Sequence, residues 1–333
     1  MAGILEKDQV GKREMLADYI TITDAKSKPI LAMIPKGKKL VNTYVRWQVD
    51  DYETPSITAQ VDGQDATDFE DAARNRVELA VYCHYLRNSA KVSKLAEDVA
   101  NVAGVSEGEM ARSIRKKLEE MGRNVEAVLG ADNESQADTG AVGYETRGLG
   151  TWITASTTTW SPVNSATYHP PSASIDATAM SSVTEAVIKA VLASVYAERG
   201  QTQTLDLICG PTLKRTISGL TQTSGGTDNK ATTAVKTYTT PAADKTIISN
   251  VETYVGDFST VNIHPSLLLD ADGSDGNYRG YLLDFPMLEL CWNQMPTVTK
   301  LPDLGGGPRA IIEAIFALVV KNPLGLGKFA ATS

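Results

Sequence analysis

Histidine and cysteine are scarce in this sequence, at three residues each among 333, and that scarcity removes most of the chemistry a chain of this length could carry. A catalytic or metal-binding centre needs convergent nucleophiles, bases or ligands. His84 has Cys83 beside it, but neighbours on a strand point to opposite faces, so the two do not form a simple dyad. His169 and His264 stand apart from any such group. Cys83, Cys209 and Cys291 are odd in number and widely spaced. That argues against a disulfide framework and for free, buried thiols in a reducing compartment. A cationic excess is also missing, since 32 Lys and Arg face 40 Asp and Glu for a formal net charge of -8. A dedicated nucleic-acid binder needs clustered Lys and Arg, so any contact with DNA should be non-specific. There is no long hydrophobic run either. The longest apolar stretch, Ala310 to Val320, is broken by Glu313 and is about half the length a membrane span requires. The opening MAGILEKDQVGKRE interleaves charges with its apolar residues and does not read as a signal peptide; neither export nor a membrane partner is expected.

The motifs that would restore a chemical function are incomplete. Asp270, Asp272 and Ser274 imitate the start of a calcium loop, but Asp275 stands where glycine is needed and Tyr281 where a bidentate Glu is needed. The glycine-rich run Leu304 to Pro308 is followed by Arg309 and not by the Gly-Lys-Ser/Thr of a phosphate loop. Gly148 and Gly150 do not complete a dinucleotide fingerprint. No cofactor or metal is expected, and an enzyme is disfavoured. A hydrolase built on one of the acidic clusters would need those carboxylates held at catalytic separation, which a loop and a turn do not do.

What the sequence does contain is a folded α+β pattern with long peripheral segments. Hydrophobic residues make up 42% of it, enough for a sizeable core. Met1 to Pro35 holds one short amphipathic stretch, Glu14 to Thr21, and reads as an arm without a core of its own. Alternation from Val41 to Val49 predicts a strand. Between Arg46 and Arg74 lie eight acidic residues (Asp50, Asp51, Glu53, Asp62, Asp65, Asp68, Glu70 and Asp71) and no Lys or Arg. This is either a solvated loop or a projecting hairpin that needs a basic partner. Strict alternation of Val77, Leu79, Val81, Cys83 and Tyr85 predicts one strand, Arg76 to Leu86, with one buried face, followed by a helical stretch around Val92 to Ala103.

Ser106 and Glu109 read as a capping box that opens the strongest helix, with Ile114, Leu118, Met121, Val125 and Val128 on one face up to Gly130. Its other face carries Arg112, Arg115, Lys116, Lys117, Glu119, Glu120 and Arg123, either a solvent face with internal ion pairs or a docking surface. Ala131 to Thr178 is loop-rich, anchored by Trp152 and Trp160. Ser182 and Glu185 read as a second capping box for a helix ending at Gly200. A short buried strand, Leu205 to Cys209, and a helix, Pro211 to Leu220, follow. Thr221 to Thr233 reads as an exposed loop. Strands are predicted at Thr246 to Val255, Val261 to Ile263, Tyr281 to Asp284, Glu289 to Gln294 and Ala310 to Val320.

Several segments, in order, are similar to the tailed-phage major head proteins of the Hong Kong 97 fold. VNTYVRWQVDD, with Arg46 and Trp47, resembles the start of that family's extended loop. The run from Val77 to Gly130, ending EEMGRNVEAVLG, resembles its strand and long spine helix, and TRGLGTWI the passage toward the axial domain. LDLICGPTLKRTISGL resembles an axial-domain strand and helix, VETYVGDFSTVNIHPSLLLD and YLLDFPMLELCW its returning strands, and IIEAIFALVVKNPLGLGKF its closing strand and tail.

The resemblance implies an N-arm at 1–40, an extended loop at 41–75 and a peripheral domain at 76–150 with its spine helix at 107–129. It further implies an axial domain at 151–280 and a return to the peripheral domain with a C-terminal strand at 281–333. It also implies pentamers and hexamers of this chain closing an icosahedral shell around DNA, assembled in the host cytoplasm. Portal, scaffolding and decoration proteins are then potential partners. An encapsulin-like compartment shell is the alternative. Arg46, Trp47, Asp50, Asp62, Asp65, Asp68, Arg112, Arg115, Lys116 and Lys117 are the candidate inter-subunit contacts. Some shells of this fold are cross-linked through a loop lysine, but this chain has no Lys between Lys39 and Lys91, so that bond is not expected.

Overall fold

The computed structural model describes residues 27–52, 55–63, 65, 76–98, 108–155, 159–163, 165–178, 183–201, 203–220, 251–269 and 279–330. The stretches predicted at Glu14 to Thr21 and Thr221 to Thr233 lie outside these residues, as do the calcium-like turn at 270–275 and the first part of the strand predicted from Thr246.

The first elements build a two-stranded stem that lies against the main core. Helix α1 (Pro29–Met33) starts on a proline, which suits a first helical position because its missing N–H would be unpaired there anyway. Strand β1 (Tyr44–Val49) pairs antiparallel with β2 (Val77–Tyr82), from Tyr44 opposite Tyr82 to Val49 opposite Val77, so residues 50–76 leave the stem at its outer end. The single strand expected from Arg76 to Leu86 is in fact two. After β2 the chain breaks at Cys83 and continues as β3 (His84–Lys91) in a different sheet. The alternation also changes phase there. Leu79, Ala80 and Val81 are all buried, because the crossing between sheets is covered on both sides, and Tyr85, expected on the buried face, is 41% exposed. Period-two patterning reports faces and not which sheet a strand joins.

After α2 (Lys94–Asp98) comes α3 (Glu109–Gly130). Neither expected capping box is the cap found. Gly108, at φ 86°, precedes α3, Glu109 is its first residue, and the Met110 amide donates to Glu97 Oε2 of α2 at 3.1 Å. Ser106 lies outside the described residues. The helix buries Met121, Val125 and Leu129, while Leu118, expected on that face, is 41% exposed. The buried stripe packs on a three-stranded sheet ordered β3-β10-β9, with Met121 against Ile312 and Ala314 and Met110 against Ala90 and Ala310.

A short helix, α4 (Leu149–Trp152), a short strand, β4 (Ile175–Asp176), and then α5 (Glu185–Arg199) follow. Thr184 and not Ser182 precedes α5, and Gly200 ends it in the left-handed region at φ 67°, as glycine past a helix end commonly does. Next come β5 (Gln203–Cys209), α6 (Pro211–Leu220), β6 (Thr253–Val255), β7 (Ser259–Pro265) and β8 (Arg279–Leu283). The chain closes with β9 (Leu288–Leu301), β10 (Arg309–Val320) and β11 (Gly327–Ala330).

A six-stranded sheet is ordered β4-β11-β8-β5-β7-β6, with β5 parallel to β7 and β11 parallel to β4. Helices α5 and α6 pack on it through Ile188, Val191, Leu192, Val195, Leu213 and Ile217. The expected boundary at 280/281 falls inside β8, and β11 lies in this sheet and not beside β9 and β10.

Candidate assembly surfaces

Nine of the ten sequence-predicted contact residues are described, and they fall on two features, the stem with its loop and the outer side of α3. On the stem, Arg46 is exposed, with Nη1 3.4 Å from Glu78 Oε1 on the facing strand. Trp47 points inward, its ring 5.8 Å from that of Trp152. Asp50 Oδ2 meets Arg76 Nε at 3.2 Å and ties the stem's outer end. Asp62 and Asp65 are exposed, and Asp68 lies outside the described residues. On α3, Arg112 faces Glu109 at 3.8 Å, while Lys116 and Lys117 face Glu120 at 4.0 and 2.6 Å. Arg115 is exposed. The helix thus carries the internal ion pairs that the plain reading of its sequence anticipates, each worth about 0.3–0.5 kcal/mol.

Sequence reasoning missed the apolar part of the loop. Tyr52, Ile57 and Val61 are 97%, 99% and 71% exposed. Full burial of side chains of this size is worth about 1.5–3 kcal/mol each. The signal was present as bulky apolar residues spaced through a run of acids. Along β1 a groove of about 710 Å³ is lined by Lys38, Trp47, Val49, Tyr168, Cys291 and Leu324, among others.

Behind these surfaces the subunit is locked by buried polar groups. Arg147 is fully buried; its Nε donates to Glu134 Oε1 at 2.7 Å, and its guanidinium lies 4.2 Å over the Trp152 ring and 4.9 Å from that of Trp160. Trp160 in turn stacks on His169 at 3.7 Å. Trp152 and Trp160, expected as isolated anchors, form one cluster. Arg199 and Asp284 pair with almost no exposure. Lys328 on β11 reaches Asp132 Oδ1 and the Gly150 carbonyl, both at 3.0 Å, and so fastens the last strand to the end of α3.

The chemistry of these groups is structural. Burial lowers the His84 pKa to about 4, so the ring is neutral at pH 7, and its Nδ1 accepts from the Thr146 amide at 3.4 Å. All three cysteines are free and buried, and burial pushes the Cys209 thiol up to about 12, far from a reactive thiolate. His264 meets Asp206 Oδ1 at 3.1 Å on an open sheet face, with Asn262 beside it, which supplies no nucleophile. Among the described residues no group of three or more His, Cys, Asp or Glu is placed to hold a metal, and no helix is long and apolar enough to cross a membrane.

A two-stranded stem, a long helix on a three-stranded sheet and a six-stranded sheet with two helices together define the fold of a phage capsid protein, the expected Hong Kong 97 type. Solved structures carry the same fold. One from Mycobacterium phage Bobi is similar at TM-score 0.62 with 9% identity, covering 100% of both chains. The cyanophage A-1(L) capsid gives TM-score 0.61 and 13% identity over 98% of each chain, and the capsid of Myoviridae phage XM1 gives 0.59 and 10% over 99% of each. No curated protein matches the chain. The family model described as SU10 major capsid protein matches residues 4–333; the chain belongs to that family. It is a structural capsid protein and not an enzyme, and its family is that of a phage capsid and not of an encapsulin-like shell.

Proposed function

We propose that this chain assembles as pentamers and hexamers into a closed icosahedral shell around packaged DNA, in the host cytoplasm, with each subunit's loop covered by a neighbour. The observation that carries the reading is the exposure of Tyr52, Ile57 and Val61 on a loop whose described residues are all exposed. Segments of this kind become ordered when another surface buries them, because only then does apolar burial offset the entropy of fixing the chain. In this reading α3 and the three-stranded sheet form the peripheral domain, the six-stranded sheet with α5 and α6 forms the axial domain, and residues 1–40 form the N-arm. The acidic residues Asp62, Asp65 and Asp68 face Arg112, Arg115, Lys116 and Lys117 of the next subunit. The ion pairs within α3 are exposed and weak, so they exchange readily for contacts between subunits. Portal, scaffolding and decoration proteins are further partners of such a shell. Packaged DNA touches it only non-specifically, given the net charge of -8.

Electron microscopy and sedimentation of the purified protein test this. Closed shells, or rings of five and six, are expected. In detergent without reductant the particles should dissociate to one band at the monomer mass, since the loop carries no lysine amine. A stable monomer under all salt and pH conditions, with no particles, contradicts the proposal.

A further inference from the structure

The chain between Lys28 and Leu40 is fastened to the subunit at two separate places, and the two fastenings differ in kind. Residues 35–40 are clipped to the edge of β9 by backbone and amide hydrogen bonds. Leu290 N donates to Pro35 O, Gly37 N to Leu290 O, Leu40 N to Trp292 O and Asn293 Nδ2 to Leu40 O, all within 2.9–3.0 Å. Residues 28–34 are held on α3 instead, and there one carboxylate takes both backbone amides, beside an ion pair from Lys28 to Glu119. Glu126, fully buried, accepts the Ile30 amide at Oε1 (3.0 Å) and the Leu31 amide at Oε2 (2.7 Å).

Those two amides are the donors that the first turn of α1 leaves unpaired. Pro29 has none, and Ala32 already donates to Lys28 O at 3.0 Å. Glu126 therefore caps α1 from another helix, and Lys28, which itself has no capping side chain, lies across Gly122 toward Glu119 Oε2 at 3.0 Å.

We infer that Lys28 to Ile34 is a releasable strap, pinned to α3 by Glu126 and hinged at Pro35, which can leave α3 while residues 35–40 stay clipped to β9. The geometry gives three reasons. First, both amide bonds end on one side chain, so losing that side chain's hold uncaps the whole turn. Second, burial raises the Glu126 pKa by more than the two amides and Lys28 lower it, so the charged pin is held against a desolvation penalty. The clip on β9 involves no charged group and carries no such penalty. Third, α1 spans only five residues, too few to be stable as a helix once detached, so release and unwinding occur together. What opposes release is the burial of Ile30 and Ile34, the packing of Leu31 and Met33 against the same core, and the exposed Lys28–Glu119 pair.

Hydrogen exchange on the intact chain reads the two fastenings separately. Glu126→Gln keeps the side chain's size but replaces one acceptor with a donor facing an amide. The Ile30 and Leu31 amides should lose about tenfold or more of their protection, the effect of one lost hydrogen bond to a charged group. Gly37, Leu40 and the α3 amides of Val125 and Leu129 should keep theirs. Equal loosening of residues 30–34 and 37–40, or no loosening at 30–31, overturns the strap. If the variant does not fold, the unmodified chain is measured in rising subdenaturing urea. Residues 30–34 should then open at lower denaturant than residues 37–40, and simultaneous opening overturns the proposal.

Discussion

In the six-stranded sheet, Leu205, Leu207 and Cys209 of β5 and Val261 and Ile263 of β7 are buried under α5 and α6, whereas beyond the stem Tyr52, Ile57 and Val61 stand in solvent. Both regions contain the bulky residues that folding buries. In the first, the apolar side chains of the central strands β5 and β7 meet their complement in α5 and α6 of the same chain. In the second the stem is registered residue against residue and packs into the main core through Trp47. Its far part has been left for another surface. One chain thus holds a buried core and, in the proposed assembly, half of an interface, and substitutions in the two should separate folding from assembly.

The widest separation is expected from replacing Tyr52, Ile57 and Val61 together with Ser. The subunit's own stability should move by no more than about 0.5 kcal/mol, as for exposed positions generally. Each interface should lose several kcal/mol, at about 1.5–3 kcal/mol per side chain. Thermal melting of the subunit should be unchanged while electron microscopy shows no particles. A large fall in melting temperature would mean that the loop is part of the subunit's own core. Normal particles would mean that its apolar residues are not the contact.

The converse comes from the body. Arg147→Leu removes a buried cation that lies against two tryptophans and takes from Glu134 its ion-pair partner, while the Ser135 amide still donates to Glu134 Oε1 at 2.9 Å. Because Glu134 is one-third exposed, the cost is that of a lost hydrogen bond between charged groups and a lost cation–π contact, about 2–4 kcal/mol. Urea denaturation of the subunit should show that loss directly, and assembly should fail only because less folded subunit is available. If the variant melts normally yet does not assemble, the buried cluster serves the interface and the contrast between the regions breaks down.

A third, smaller effect depends on pH. His84 has a folded pKa near 4 against 6.5 for the exposed ring, so the unfolded chain takes up the proton first. The stability this gives is fully present above pH 6.5 and is lost as pH falls toward 4, up to about 3 kcal/mol at 1.36 kcal/mol per unit. Urea midpoints at pH 7 and pH 4.5 should differ for the natural chain. The difference should shrink for His84→Gln, which keeps an acceptor for the Thr146 amide. An equal pH dependence in both chains would remove His84 from the account.

Local signals were legible in the sequence, and the pairing of distant segments was not. Pro211 before a periodic stretch places α6, and Gly200 places the end of α5, because both positions are dictated by backbone chemistry within a few residues. The apolar run at Ala310 to Val320 gives β10. The break at Cys83 was hidden, since the alternation continues across it although the chain changes sheets. Likewise nothing local to Gly327 to Ala330 says that β11 inserts between β4 and β8. The cap of α3 was not legible because Glu97 acts on it from the preceding helix, and the capping of α1 by Glu126 carried no local signal at all. Of the candidate surfaces, the acidic run and the basic side of α3 were visible as charge. Tyr52, Ile57 and Val61 were passed over because a run of acids reads as solvated.

The charges themselves should give the smallest effect. Changing Asp62, Asp65 and Asp68 to Lys turns three acids on the loop into bases and, in the proposed assembly, sets them against Arg112, Arg115, Lys116 and Lys117 of the next subunit. The residues are exposed where described. Interactions of this kind are screened over about 8 Å at physiological salt and are worth about 1 kcal/mol or less per pair, so they orient an approaching subunit more than they hold it. Light scattering at low salt should therefore show slower assembly, with the natural rate approached as salt is raised, while finished particles keep the same stability. The salt dependence is the discriminating part. Apolar burial by the same loop strengthens or stays constant with added salt, whereas a steering field fades. If the reversed loop assembles at the natural rate in low salt, α3 is not the surface the loop meets and the loop's apolar residues act without electrostatic guidance. If assembly stays slow even in high salt, the acids make close contacts that the exposed ion pairs of α3 do not explain.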